Sequence, residues 1–144
     1  MKAVVLLSGG LDSTTTLAIA INDGYDVYPI TFRYGQRHNR EIESAKKICE
    51  YYNLKLKIVD INLREIGGSA LTDNIEVPKN RSLGEISREI PVTYVPARNT
   101  IFLSIALGYA EVIDADRIYI GVNALDYSGY PDCRPEYIEE FNKL

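Results

Sequence analysis

The stretch Ser8-Gly9-Gly10-Leu11-Asp12-Ser13 follows directly on the apolar run Ala3-Val4-Val5-Leu6-Leu7, and this junction constrains the fold more than any other part of the chain. The apolar run makes a buried strand. The paired glycines allow a tight turn and a close backbone approach to a ligand, and Asp12 to Ile21 continues at helical spacing. A strand that turns straight into a helix leaves the first helical N–H groups unpaired, where they and the helix dipole favour an anion. Ser8, Ser13, Thr14 and Thr15 bring short hydroxyls to the same place. The turn therefore reads as a phosphate cradle and implies an ATP site. It is neither a Walker A loop, since no lysine follows the glycines, nor the dinucleotide G-x-G-x-x-G. A merely capped turn, with Ser8 or Asp12 as N-cap, would require neither paired glycines nor a hydroxyl cluster.

The chain has 144 residues, 46% of them hydrophobic and 25% charged. That is the composition of one soluble domain, large enough to bury about 68–70% of its unfolded surface. No stretch approaches the ~18 consecutive apolar residues of a membrane span, and Met1-Lys2 leads straight into the first strand, so a cytoplasmic protein is expected. A formal charge of −4 exerts no long-range pull on nucleic acid and favours a small-molecule substrate. Cys49 and Cys133 make neither a disulfide framework nor a Cys-x-x-Cys pair. His38 is the sole histidine, which excludes a histidine-based metal cluster.

Strand and helix patterns alternate along the chain. Tyr25 to Phe32 reads as a second strand, with Pro29 expected at an edge or beside a non-pairing spot of the ladder. Glu41 to Tyr52 is an amphipathic helix with Ile42, Ala45, Cys49 and Tyr52 on one face, and Leu54 to Ile61 gives a third strand. Residues 62–91 read as an inserted, partly mobile connection with a short helix near Leu63 to Gly67, placed as a lid over the site. Asn99 to Ile113 is apolar almost all round, the mark of a helix covered on most faces, and Arg117 to Val122 is a short buried strand. The alternation predicts a single α/β domain over residues 1–144, a parallel sheet with helices on both faces. Ligands of such sheets bind at the carboxyl ends of the strands.

Further constellations fall on that edge. Tyr34-Gly35-Gln36-Arg37-His38 follows the second strand, and Arg37 suits a phosphate or a substrate carboxylate. Val95-Pro96-Ala97-Arg98-Asn99-Thr100 sets Arg98 immediately outside an apolar helix that Asn99 or Thr100 would cap. A fixed guanidinium there suits a phosphate oxygen or a developing negative charge. After the last strand, residues 121–135 form a turn-rich loop. Tyr127 and Tyr130 can stack on a planar heterocycle, and Asp126 or Asp132 can accept from an exocyclic amine or ring N–H. An irregular connection held by Asx-turns would have similar composition.

The pattern S-G-G-x-D-S resembles the PP-loop of the ATP pyrophosphatases, which cleave ATP between the α- and β-phosphates. Taken with Tyr34-Gly35-Gln36-Arg37-His38, Val95-Pro96-Ala97-Arg98-Asn99-Thr100, Gly121-Val122-Asn123 and the run Asp126 to Arg134, the chain resembles the 7-cyano-7-deazaguanine synthase (QueC) family. The resemblance runs in order over nearly the whole chain. It implies an adenine nucleotide alpha hydrolase-like, Rossmann-like PP-loop fold. It also implies an ATP-dependent C–N ligase that converts 7-carboxy-7-deazaguanine and ammonia to the 7-cyano compound through adenylated intermediates, on the route to queuosine or archaeosine.

Carried onto this sequence, the resemblance implies that Leu7, Ser8, Gly9, Gly10, Leu11, Asp12, Ser13, Thr14, Thr15, Thr16 and Leu17 hold the pyrophosphate. Thr31, Phe32 and Arg33 would place backbone groups against adenine. Asp12 and Arg98 would be catalytic, with Mg²⁺ on the phosphates. Arg37, Asn99, Asn123, Asp126, Tyr130, Asp132 and Arg134 would bind the substrate. The family's structural Zn²⁺ is held by a cysteine cluster beyond the part this chain matches, so no metal ligand is assigned, and the sequence is either a truncated form or an incomplete piece of a longer protein. The expected partners are small molecules, without nucleic acid or membrane, and a homodimer is left open. Competing readings are a tRNA-thiolating PP-loop ligase, which wants a cysteine pair and a basic surface, and a nucleotide-binding module without turnover.

Overall fold

The computed structural model describes residues 1–36, 39–68, 95–122 and 131–144. Along them run β1 (Lys2–Leu6), α1 (Leu11–Asn22), β2 (Asp26–Arg33), α2 (Arg40–Tyr52), β3 (Lys57–Asp60), a 3-10 turn (Leu63–Glu65), α3 (Arg98–Ile113), β4 (Arg117–Tyr119), a second 3-10 turn (Pro131–Cys133) and α4 (Pro135–Asn142). The strands pair in the order β3-β2-β1-β4, every neighbouring pair parallel. This is the α/β architecture expected from the sequence.

Alternation along the strands sorts the core into two layers. Val4, Leu6, Ile30 and Phe32 pack with Leu103, Ala106 and Ala110 of α3, whereas Val5, Leu7 and Val27 pack with Leu17 and Ala20 of α1 and Ala45 and Cys49 of α2. Strand residues pointing to opposite faces thus bury against helices on both sides. The chain steps outward from β1 to β2 to β3 with its helices on one face, then returns to the far side of β1 with α3 on the other. Right-handed crossovers require that change of face when the direction of travel reverses. The reversal opens a crevice between the carboxyl ends of β1 and β4.

Pro29 shows how the ladder tolerates a missing donor. Leu7 N–H donates to the Ile30 carbonyl at 2.8 Å, so Ile30 turns its polar groups toward β1. Pro29, one residue earlier, turns the other way, and the β2–β3 ladder begins only at the Ile30–Lys57 pair. The imide nitrogen therefore lies beside a stretch without pairing, in an otherwise interior strand.

Several elements differ in extent from their sequence patterns. The third strand is confined to Lys57–Asp60, because the Leu54 N–H closes α2 by donating to Cys49 O at 2.8 Å and Asn53 takes a left-handed φ of 56°. The N-cap of α3 is Ala97, itself left-handed at φ 55°, rather than Asn99 or Thr100. Nor is α3 covered all round, since Leu107 and Val112 are 36% and 83% exposed. The greater part of the connection 62–91 lies outside the described residues. Among those described, no helix is long and apolar enough to cross a membrane.

The turn Pro131–Cys133 tucks in beside the start of α3. Asn99 Nδ2 donates to the Asp132 carbonyl at 3.0 Å and to Cys133 Sγ at 3.3 Å. Burial pushes the Cys133 thiol up to about 11, the Asp132 charge adds to the rise, and Arg98 and the Asn99 hydrogen bond oppose it.

Leu17 is fully buried between α1 and the sheet, so Leu17→Ala should cost about 3 kcal/mol, read as a lower urea midpoint at unchanged m-value. The raised thiol gives a second expectation. An unfolded Cys133 releases its proton near the ordinary thiol value of 9.0, while the folded one keeps it to about 11. Its contribution to stability is therefore complete below the first value and lost as pH rises through the second. The urea midpoint should fall across that window, and fall less in Cys133→Ala.

Candidate functional site

A cleft of about 430 Å³ occupies the carboxyl ends of β1, β2 and β4, at the point where the strand order reverses. Its floor is Leu6, Leu7, Ile30, Thr31 and Phe32; Ser8, Gly10, Leu11, Asp12 and Ser13 form one wall, and Arg98, Asn99 and Phe102 stand opposite. The start of α1 opens into it. Gly10 is the N-cap with extended backbone, and no side chain caps the helix. Those first N–H groups are therefore available to an anion in the cleft.

Packing against α2 fixes the shape of the turn. Gly9 has φ +89°, and a Cβ there would meet Glu41 O at 2.5 Å and Ala45 N at 2.9 Å. Ser44 Oγ donates to Gly9 O at 2.8 Å. In a trans peptide the carbonyl and the following N–H point in opposite directions. Holding Gly9 O on α2 thus sends Gly10 N–H toward the cleft, where Ser8 Oγ lies 3.4 Å away. The far wall is equally close. A Cβ on Gly121 would meet Thr16 Oγ1 at 2.7 Å and Asp12 O at 2.9 Å, so only glycine lets the chain leaving β4 pass the first turn of α1.

The hydroxyls divide into two sets. Ser13 Oγ, almost buried, accepts from Ser8 N at 3.1 Å and lies 3.0 Å from Ser8 Oγ, within the turn. Thr14, Thr15 and Thr16 donate to the carbonyls of Gly10, Leu11 and Asp12 at 2.6, 2.9 and 2.8 Å. They do not line the cleft. Such back-bonding to the preceding turn is the ordinary alternative for a helical threonine. Leu17 is buried beneath α1 and also lies off the cleft.

On β2, Thr31 and Phe32 line the cleft, whereas Arg33 pairs with Asp60 of β3 at 2.9 Å on the surface. Phe32 stacks on Phe102 with ring centroids 4.0 Å apart. Arg98 donates from Nη1 to Tyr34 Oη at 3.2 Å, and its guanidinium carbon stands 5.7 Å from the Tyr34 ring. Asp132 is buried and accepts from Asn99 N–H at 2.8 Å. Arg134 is exposed at the N-cap of α4. Arg37, Asn123, Asp126 and Tyr130 lie outside the described residues.

The structure adds the cleft residues Glu41 and Phe102, which sequence reasoning missed, and Tyr34, which it named within the run after the second strand without giving it a role. Loss of water around the Glu41 carboxyl raises its pKa, and Arg98 pulls it the other way. The signal for Glu41 was its place in the first turn of a helix that enters from the ligand edge. For Phe102 it was the helical offset from Arg98. Among the described residues no group of three or more His, Cys, Asp or Glu could hold a metal by itself. Asp12 is a single carboxylate beside the cradle, which suits a cation that takes its other ligands from phosphates and water.

The model for "Queuosine biosynthesis protein QueC" matches residues 2–144. The chain is 66% identical over 143 residues to the 7-cyano-7-deazaguanine synthase of Picrophilus torridus, covering 99% of this chain and 58% of that protein. It is 65% identical over 136 residues to the same-named protein of Thermoplasma volcanium, covering 94% and 56%. It thus spans a little under three-fifths of the length of these relatives. The fold is also shared with a 4-thiouridine synthetase solved with RNA and bound ATP, at TM-score 0.53 and 24% identity over 83% of this chain and 29% of that one. An NH3-dependent NAD synthetase from Campylobacter jejuni aligns at TM-score 0.50 and 16% identity, over 97% and 68%. With the family model matched from the first strand to the last residue, the chain belongs to the QueC family.

Proposed function

We propose that this chain supplies the ATP-binding and adenylating centre of a 7-cyano-7-deazaguanine synthase. The observation that carries the reading is the uncapped start of α1, held open by Gly9 against α2, facing a cleft at the reversal point of the sheet. The polyphosphate lies on the N–H groups of the turn, with Ser8 and Ser13 beside it. Adenine lies against the carboxyl end of β2 at Thr31 and Phe32.

The chemistry needs an activated acid. A carboxylate oxygen of 7-carboxy-7-deazaguanine attacks the α-phosphorus, the bond to the β-phosphate oxygen breaks, and pyrophosphate departs onto the cradle. Ammonia then attacks the acyl carbon, loses a proton and expels AMP, giving the amide. A second adenylation, on the amide oxygen, allows loss of AMP and the remaining N–H protons to leave the nitrile. Arg98, aimed across the cleft, stabilises negative charge that grows on the phosphoryl oxygens. Asp12 would help hold Mg²⁺, whose charge on the phosphates eases pyrophosphate departure. Asn123, Asp126, Tyr130 and Arg134 recognise the heterocycle, and Arg37 meets its carboxylate. Cys49 and Cys133 sit apart, Cys49 in the α1–α2 layer of the core and Cys133 beside α3, and the described residues contain no group fitted to a structural zinc.

Incubation with ATP, ammonium and 7-carboxy-7-deazaguanine should release AMP and pyrophosphate only when the acid is present. AMP formed with tRNA instead would point to thiolation, and binding without cleavage to a module. Arg98→Ala should lower AMP release by about a hundredfold. Gly9→Ala, which forces a Cβ into the Glu41 carbonyl, should abolish ATP binding measured by calorimetry and lower the melting temperature as well.

A further inference from the structure

The first turn of α3 is under backbone strain at the residue that precedes Arg98. Ala97 takes φ +55°, a left-handed conformation that costs a non-glycine residue free energy and persists only where the surroundings hold it. Arg98 N–H donates to Val95 O at 3.0 Å, and Ile101 N–H donates to Ala97 O at 3.0 Å, so the strain sits at the point where turn becomes helix.

What grips that point from outside is Asp132. Its Oδ2 accepts the N–H of Asn99, the residue after Arg98, at 2.8 Å. The Asn99 side chain returns the contact by donating to Asp132 O at 3.0 Å and to Cys133 Sγ at 3.3 Å. All three residues are buried or nearly so, at 5% exposure for Asp132, 9% for Asn99 and 5% for Cys133. A carboxylate bonded to a helix N-terminal N–H out of water makes a strong, directional contact. Asp132 itself is not among the residues lining the cleft, whereas Arg98, Asn99 and Cys133 are.

We infer that Asp132 is a positioning residue: by clamping the first turn of α3 through Asn99, it fixes the direction in which Arg98 enters the cleft, rather than touching the deazaguanine. Without the clamp Ala97 relaxes, the first turn rotates, and the guanidinium leaves its place over Tyr34. The inference rests on the proposed use of Arg98 toward the ATP phosphates, and it assigns the control of that arginine to a turn more than thirty residues further along the chain.

A double-mutant cycle with Arg98→Ala and Asp132→Ala, read by calorimetric ATP binding, tests it. Asp132→Ala should weaken ATP about tenfold, as loss of one well-placed charge-assisted contact would. In the Arg98→Ala background the same substitution should add nothing, because its effect passes through the arginine. Asp132→Asn keeps an oxygen for the Asn99 N–H and should restore ATP affinity to within about threefold of the parent. Equal losses in both backgrounds would overturn the inference. So would Asp132→Asn binding as weakly as Asp132→Ala at an unchanged melting temperature, which is the result expected of direct ligand contact. Should the parent fail to bind ATP, or Arg98→Ala bind it normally, the proposed phosphate site is wrong. The clamp is then judged by the Arg98 Nε–H resonance of the nucleotide-free protein. That resonance should move to the position of a solvated arginine in Asp132→Ala and stay in Asp132→Asn, and an unmoved resonance in Asp132→Ala refutes the clamp. If Asp132→Ala does not fold, Asp132→Asn decides alone, since a displaced Arg98 resonance in it contradicts the clamp.

Discussion

Gly9 is pressed against α2 so closely that a methyl group in place of its hydrogen would sit 2.5 Å from Glu41 O. Most of the site follows from that contact. It sets the distance between the turn and the second helix, it requires the positive φ that bends β1 into α1, and through Ser44 it fixes which way the adjoining peptide faces. A peptide facing the other way would present a carbonyl to the cleft and repel an anion. The cradle is thus a product of helix-to-loop packing as well as of glycine flexibility. Its stiffness matters because N–H groups already aimed at a ligand need no rearrangement when it arrives.

The sheet contributes position. Because β1 lies between β2 and β4, the turn after β1 has neighbours on both sides: the end of β2 with Thr31 and Phe32, and the chain leaving β4 at Ile120 and Gly121. A nucleotide laid across that edge meets strand ends on either hand and a helix start in the middle. The apolar floor of Leu6, Ile30 and Phe32 belongs to the same layer that packs α3, so the helix carrying Arg98 and the surface beneath the ligand share one core. Movement of α3 therefore cannot be separated from the shape of the cleft.

Much of this was legible in the sequence because it depends on local patterns. The buried strand, the paired glycines and the alternation of elements gave the parallel sheet and the ligand edge, and Pro29 announced a gap in the ladder that the structure places on the β3 side. What was not legible depended on direction and on distant partners. Thr14, Thr15 and Thr16 have the right chemistry for a phosphate, yet on a helix their hydroxyls turn back to carbonyls of the preceding turn. The Arg33 side chain is carried to the surface by strand alternation and pairs there with Asp60 of the neighbouring strand, a partner that the local pattern does not announce. Asp132 carries an acceptor that composition alone matches to a heterocycle as readily as to a backbone N–H, and only the fold brings it to Asn99 across 33 residues.

The charges in the cleft carry the argument one step further. Among the described residues that line it, Arg98 is cationic and Asp12 and Glu41 are acidic. A polyphosphate with several negative charges thus meets side chains that do not neutralise it. Among the described residues, the N–H groups at the start of α1, whose partial charge is roughly half an elementary charge, add to the pull of Arg98 on an anion, and the proposed function would add a cation brought in with the nucleotide. Under the proposed function, the acidic wall of Asp12 and Glu41 would disfavour free phosphate and suit the metal-bound form. On the proposed function, selectivity for a metal nucleotide over a bare anion would follow from the balance of one guanidinium, two carboxyls and a row of fixed amides.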